Sequence, residues 1–333
     1  IIMRVLILTP YAVPLSVGGF QNQIYQVATN LRKLGVTTDF YNCENIKIKD
    51  YDILQIMSPD ASMRSIISRF KSAGVPIVMT PMCGSQAVSS IGLKTRLFLS
   101  KIPVLFTADR FNAMVLRLGD YYLPLTDFEK KRLTQVYGIP NSKIKVIPNG
   151  LDETFFSDDL QEVELPYSNY LLVVGRIEPN KNQFNLIQAV NKLGLNLIII
   201  GEAGAYNHEY IDQCKSISKA NVYYWGVEKN KPLLKYLYKN AALTVVPSYS
   251  EMAPLVVFES LKMKTPVLCT SHCGFSSLNI PGLFFTEIST KKLIKSIPLA
   301  MKCENNVIGM DGIYQWEDIA SQYLSVYNLL LKR

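Results

Sequence analysis

Leu243-Thr244-Val245-Val246-Pro247-Ser248-Tyr249-Ser250-Glu251-Met252-Ala253-Pro254-Leu255-Val256-Val257-Phe258-Glu259 decides the fold. Its first four residues form a short aliphatic run suited to a strand buried on both faces, and Pro247 and Ser248 end it. From Leu255 the apolar pattern continues through Leu261 and Met263 with a helical period. The stretch therefore reads strand, loop, helix. Glu251 falls in the loop beyond the strand's carboxyl end, and Glu259 on the first turns of the helix. Ligands of open α/β sheets bind in that crevice. Two acids there suit two hydroxyl-bearing parts of one ligand, such as a sugar and a ribose. A helix-start acid favoured by the dipole and a solvated helix face explain the same pair, so the rest of the chain must decide.

Outward from this stretch the plan repeats. In the second half, strands are expected at Tyr170–Val174, Asn196–Ile200, Val222–Trp225 and Val267–Thr270. Helices are expected at Gln183–Leu193, Tyr206–Ser218, Pro232–Asn240 and Leu255–Met263. In the first half, strands fit Arg4–Thr9, Thr38–Tyr41, Ile53–Met57, Pro76–Thr80, Tyr121–Pro124 and Lys145–Ile147. Helices fit Gln21–Leu34, Ser62–Ala73, part of Leu93–Ser100, Ala108–Leu118 and Asp127–Tyr137. Strands alternating with helices imply mostly parallel sheets with right-handed crossovers. Asp152–Ser168 is acidic and aperiodic, as a linker is. The expectation is an N-terminal domain over 1–155 and a second over 168–313. An amphipathic helix within 314–333 is expected to pack back on the first domain.

Composition bounds the function. Of 333 residues, 48% are hydrophobic and 19% charged, which suits packed cores rather than disorder. No apolar run reaches the roughly 18 residues of a membrane span. Six cysteines without framework spacing point to a reduced, cytoplasmic setting. The net charge of +8 is uneven: residues 1–151 carry 18 Lys and Arg against 9 Asp and Glu. No nucleic-acid reader motif accompanies that excess, so nucleic acid is not an expected partner. Lys94, Arg96 and Lys101, mixed with large apolar residues, make an anionic membrane surface the candidate instead. The expected location is cytoplasmic, peripheral at the inner face of the plasma membrane.

Four loops carry chemistry. Gly18-Gly19 precedes a helix whose N-terminus would attract a phosphate. Gly175-Arg176, with Lys181 five residues on, follows a strand and offers two cations to a diphosphate. Gly201-Glu202-Ala203-Gly204 permits close approach of a nucleotide, and the backbone near Val227 lies where a base edge could be read. Three of these loops, with Glu251 and Glu259, line one edge of one sheet.

These motifs, with Val146-Ile147-Pro148-Asn149-Gly150-Leu151-Asp152 between the halves, occur in an order that resembles the family 4 retaining glycosyltransferases. The resemblance covers nearly the whole chain. It implies the GT-B architecture, an α/β fold of two Rossmann-like parallel-sheet domains facing a cleft. It implies transfer of a sugar from a nucleoside diphosphate, UDP favoured over GDP, to a glycan or lipid-linked acceptor hydroxyl, in surface polysaccharide or lipid-linked glycan synthesis. No cofactor and no metal are expected; the nucleotide sugar is a co-substrate. Carried over position by position, Arg176, Lys181 and Glu251 form the catalytic set. Gly18, Gly19, Gly175, Gly201, Gly204, Val227, Leu255, Val256 and Glu259 bind the donor, Glu251 at the sugar and Glu259 at the ribose. Met82, Cys83 and Gly84 lie on the acceptor side.

Two departures stand out. Met82 falls where the family often has a His that approaches the sugar, and residues 1–151 contain no His. Ala253-Pro254 replaces the family's Phe-Gly, and Pro254 has no N–H. A nucleotide-sugar epimerase and a non-catalytic sugar-nucleotide binder are the alternatives. Several other features read as structure. Asp50-Tyr51-Asp52 lies at a strand's start. Cys269, His272 and Cys273 crowd one loop without a fourth metal ligand. His208 reads as a solvated helix start.

Overall fold

The computed structural model describes residues 2–10, 18–83, 90–99, 108–204, 206–276, 279–302 and 313–332. The chain forms two compact units. One takes the described residues up to Gly150 and again from Tyr314; the other takes those from Leu151 to Ile313.

The first unit contains β1 (Arg4–Leu8), α1 (Gly19–Lys33), β2 (Thr37–Phe40), β3 (Ile53–Met57), α2 (Arg64–Ser72), β4 (Ile77–Thr80), α3 (Ser90–Leu99), α4 (Ala108–Leu116), β5 (Tyr121–Tyr122) and α5 (Asp127–Gln135). Its strands are all parallel, in the order β2-β1-β3-β4-β5. β3 and β4 are buried along their whole length, as strands covered by helices on both faces must be. The short strands β6 (Gly150–Leu151) and β13 (Tyr314–Gln315) mark where the chain leaves and re-enters this unit. A Cβ on Gly150 would lie 2.8 Å from the Trp316 nitrogen, so only glycine fits there.

The last helix, α11 (Trp316–Leu331), completes the first unit's core. Tyr323 and Tyr327 are buried. The Tyr323 hydroxyl is 3.0 Å from Thr80 Oγ1 and the Tyr327 hydroxyl donates to Gln55 Oε1 at 2.9 Å. Both partners lie on central strands, β4 and β3.

The second unit contains β7 (Tyr170–Val174), α6 (Gln183–Leu193), β8 (Asn196–Ile200), α7 (His208–Ile217), β9 (Val222–Gly226), α8 (Lys231–Asn240), β10 (Leu243–Val246), α9 (Leu255–Lys262), β11 (Val267–Thr270), β12 (Leu283–Thr286) and α10 (Thr290–Ala300). Its parallel strand order is β12-β11-β10-β7-β8-β9. Each unit is thus an α/β layer structure of the Rossmann type. Among the described residues, no helix is long and apolar enough to cross a membrane.

Three sequence expectations need correction. Lys145–Ile147 is not a strand. It runs beside β5 through Lys145 N–H to the Tyr122 carbonyl (3.0 Å) and Ile147 N–H to the Pro124 carbonyl (2.9 Å), but β5 is too short to carry a ladder. The 152–168 segment opens as a 3-10 turn, Glu153–Phe156, with Phe155 buried, instead of an unstructured linker. β12 and α10 complete the second sheet, although the sequence reading ended at Thr270. The sequence after Thr270 shows no period that leads on to Leu283-Phe284-Phe285.

Candidate active site

The second unit's site begins with backbone crossings at three neighbouring strand ends. Gly175 N–H donates to the Ile200 carbonyl at 2.9 Å and Gly201 N–H to the Gly226 carbonyl at 2.7 Å. Gly201 has φ +137°, and a Cβ there would sit 2.0 Å from the Gly175 carbonyl oxygen. Only glycine fits there, because any side chain would run into the Gly175 carbonyl. Gly204 closes the following turn by accepting from Asn207 N–H at 2.9 Å.

After Gly175 the chain turns through Arg176–Asn182. Ile177 is buried and bridges Ala203, which pins the turn's inner side. Arg176 points outward, its side chain 51% exposed and paired with Glu178 at 3.3 Å, while Gln183 Nε2 holds its carbonyl at 2.8 Å. Pro179–Lys181 form one 3-10 turn, and Asn182 ends it in the left-handed region at φ +55°. Asparagine tolerates that conformation, and its side chain adds anchors. Asn182 Nδ2 donates to the Pro247 carbonyl at 3.0 Å and the Ile288 carbonyl at 3.3 Å. Asn180 Nδ2 donates to the Ser250 carbonyl at 3.1 Å, and its own carbonyl accepts Tyr249 N–H at 2.7 Å. Two asparagines flanking Lys181 thus tie its turn to the loop that carries Glu251.

The result is one close ion pair. Lys181 Nζ lies 2.5 Å from Glu251 Oε1, with both side chains mostly buried. Glu251 is held from the other side as well: its N–H donates to the His272 carbonyl at 3.3 Å and its carbonyl accepts Gly274 N–H at 2.9 Å. Pro254 then caps α9 at φ −66°, so the helix's first N–H groups come from Leu255 and Val256.

Glu259 is not a solvated face residue. It is buried on α9, and its Oε2 accepts the Tyr238 hydroxyl at 2.7 Å. Burial raises its pKa, while Lys231 and the Tyr238 hydroxyl pull it back. Val227 follows β9 and is half exposed.

The structure brings together Lys181 with Glu251 and Gly175 with Gly201. It leaves Arg176 in a separate pair with Glu178. In the first unit, Gly18 caps α1 in extended conformation without any side-chain cap, and Gly19 opens the helix. Met82 adopts φ +46°, a conformation that side chains rarely take. Cys83 is turned inward: its N–H donates to Glu129 Oε1 at 2.9 Å, and burial pushes its thiol pKa well up. That removes its side chain from the acceptor-side set. Gly84 lies outside the described residues.

The sequence reading missed Asn180, Asn182, Tyr238 and Glu129. The Pro179-Asn180-Lys181-Asn182 run before a helix was a signal for the first two, since it is a turn with a left-handed exit. Glu129 had a local signal in Thr126-x-x-Glu129, a helix-start spacing, whereas Tyr238 had none, because its partner is 21 residues away.

Sheets of this order with such strand ends define a class of two-unit α/β proteins. The family model for Glycosyltransferase Family 4 matches residues 42–155, and that for Glycosyl transferases group 1 matches residues 158–307. The chain belongs to glycosyltransferase family 4 and has the GT-B fold.

It is similar to the D-inositol 3-phosphate glycosyltransferase of Nocardiopsis dassonvillei, 31% identical over 188 residues, covering 51% of this chain and 44% of that one. It is also similar to the N-acetylgalactosamine-N,N'-diacetylbacillosaminyl-diphospho-undecaprenol 4-alpha-N-acetylgalactosaminyltransferase of Campylobacter jejuni, at 28% identity, covering 54% of this chain and 52% of that one. The chain spans about half the length of the curated relatives it matches. Among solved structures, Anabaena HepE in complex with UDP superposes with a TM-score of 0.71, covering 98% of this chain and 100% of that one, at 15% identity. That likeness speaks for the fold alone.

Proposed function

We propose that the protein transfers a sugar from a nucleoside diphosphate, UDP rather than GDP, to an acceptor hydroxyl with retention of configuration. The observation that carries this is the Lys181–Glu251 pair at the carboxyl edge of a parallel sheet. A buried pair of this kind holds a cation and an acceptor oxygen ready, each satisfied by the other until a ligand divides them. Lys181 turns to the donor's diphosphate, joined by the N–H groups of Leu255 and Val256 at the start of α9 and by Arg176. Glu251 accepts hydrogen bonds from hydroxyls of the transferred sugar. As the bond from the sugar's anomeric carbon to the phosphate oxygen breaks, negative charge grows on the diphosphate, and these fixed groups stabilise it without a metal ion. The acceptor oxygen bonds the same carbon from the same face, and its proton passes to the departing phosphate oxygen.

UDP is favoured because HepE, which shares the fold, is a UDP complex. A lipid-linked acceptor is favoured because the Campylobacter relative's name carries a diphospho-undecaprenol acceptor. The outer side of α3 also supports work at the inner face of the plasma membrane: Ile91 is 78% exposed and Phe98 69% exposed, with Lys94 exposed between them. Arg96 and Lys101 fall outside the described side chains.

The test is thermal shift with a panel of UDP and GDP sugars, followed by NMR of the transferred product's anomeric proton. A UDP sugar that stabilises the protein and gives a product of the donor's own configuration is the expected result. An inverted product, or isomerised sugar without acceptor, refutes the reading. Sedimentation with anionic vesicles at low salt tests the membrane part, and absence of binding ends it.

A further inference from the structure

Glu259 is buried with only half of its carboxylate engaged. Oε2 accepts the Tyr238 hydroxyl at 2.7 Å, and no donor among the described residues reaches Oε1. The tyrosine that holds it is unusually constrained. Its side chain is fully buried, its carbonyl accepts Thr265 Oγ1 at 2.6 Å, and its ring meets the edge of Phe155 with centroids 6.3 Å apart. Phe155 lies in the 3-10 turn Glu153–Phe156, and that turn is fixed by a buried lysine of α8. Lys235 Nζ donates to the Thr154 and Ser157 carbonyls, each at 2.7 Å. So α8 holds the turn, the turn backs the ring, and the ring aims the hydroxyl at one oxygen of Glu259.

We propose that Tyr238 is a positioning residue for donor binding, which by engaging Oε2 holds Glu259 in one orientation and presents Oε1 to the ribose hydroxyls of a nucleoside diphosphate. This rests on the donor-binding reading of Glu259 given above. A ribose hydroxyl donates well to an ionised carboxylate and poorly to a protonated one. The groups that govern that ionisation are all close. Burial favours the protonated form and Asp152 adds to it, while Lys231 and the Tyr238 hydroxyl favour the ionised form. Removing the hydroxyl loosens the side chain and moves its protonation to higher pH.

The experiment uses Tyr238→Phe in the full chain, with UDP as the probe, by titration calorimetry between about pH 5 and about pH 9. The UDP Kd should rise on the order of tenfold at the acid end of that range and by no more than about twofold at the alkaline end, with kcat at saturating donor within about twofold of wild type. Lys231→Met, which leaves the hydrogen bond intact, should shift the pH dependence in the same direction and by at least as much. An equal loss at every pH, or no loss at any, overturns the role of Tyr238. Glu259→Gln separates the two levels. If it binds UDP like wild type, the donor reading of Glu259 itself falls. If it loses affinity while Tyr238→Phe keeps it at every pH, only the positioning role falls.

Discussion

Glu129 in the first unit and Glu259 in the second are both buried carboxylates on helices, yet the protein treats them oppositely. Glu129 has both oxygens taken by backbone: Oε1 by Cys83 N–H at 2.9 Å and Oε2 by Leu125 N–H at 2.7 Å. Arg132 lies alongside and donates to the Cys83 carbonyl at 3.3 Å. Glu259 has one oxygen taken by a hydroxyl, and no donor among the described residues reaches the other. Burial pushes both upward in pKa, Glu129 to about 7. A saturated acid is a structural clamp. An acid with one oxygen free can serve a ligand.

Mutation should divide the two along that line. Glu129→Ala orphans two buried N–H groups and removes the anion beside Arg132, so unfolding in urea should show a loss of about 4 kcal/mol, with donor affinity unchanged in whatever remains folded. The pH dependence of stability is next. Burial pushes Glu129 up to about 7 in the folded chain, against 4.5 for an ordinary glutamate. The folded state therefore holds a proton that the unfolded state has lost, and stability falls as pH rises from 4.5 through 7 by about 3 kcal/mol. Melting curves of Glu129→Gln should lack that slope. If the slope survives in the variant, another group is responsible.

The active-site pair comes third. Lys181→Ala should lower kcat/KM on the order of 100-fold, about 2.7 kcal/mol, while shifting Tm by only a few degrees. Glu259→Gln should weaken donor binding roughly tenfold, about 1.4 kcal/mol, yet leave Tm unchanged or slightly higher, since it removes a charge that burial disfavours. A Tm loss as large as that of Glu129→Ala would erase the distinction between clamp and ligand group. Smallest of all, Glu178→Gln breaks a surface pair with Arg176 and should change turnover by less than about twofold.

How much of this was legible in the sequence follows from range. Strands such as Ile53–Met57 and Leu243–Val246 announce themselves, because burial on both faces leaves an unbroken apolar run. The pairing of Lys181 with Glu251 was half legible. Each lay at an expected strand end, but that they meet depends on Asn180 and Asn182 reaching across to Ser250 and Pro247. Glu259 was read as a donor-binding acid with a solvated helix face as the alternative; its burial against Tyr238 left no local trace, because Tyr238 belongs to another helix. That the Gly175 carbonyl takes the place of any side chain at Gly201 was not legible, because the two glycines are brought together only by neighbouring strands. Local pattern fixes where a loop starts; which loops touch is decided by long-range hydrogen bonds that leave no periodic trace.

The placement of α11 carries a consequence for how the molecule is made. Its tyrosines supply hydrogen bonds to β3 and β4, at the centre of the first sheet. During synthesis that sheet emerges early but cannot close its core until residue 331 has left the ribosome. The second unit, translated later, has all its strands in hand sooner. The half of the chain made first is thus the half finished last, and a nascent protein stalled before Trp316 would present an uncovered apolar surface to chaperones.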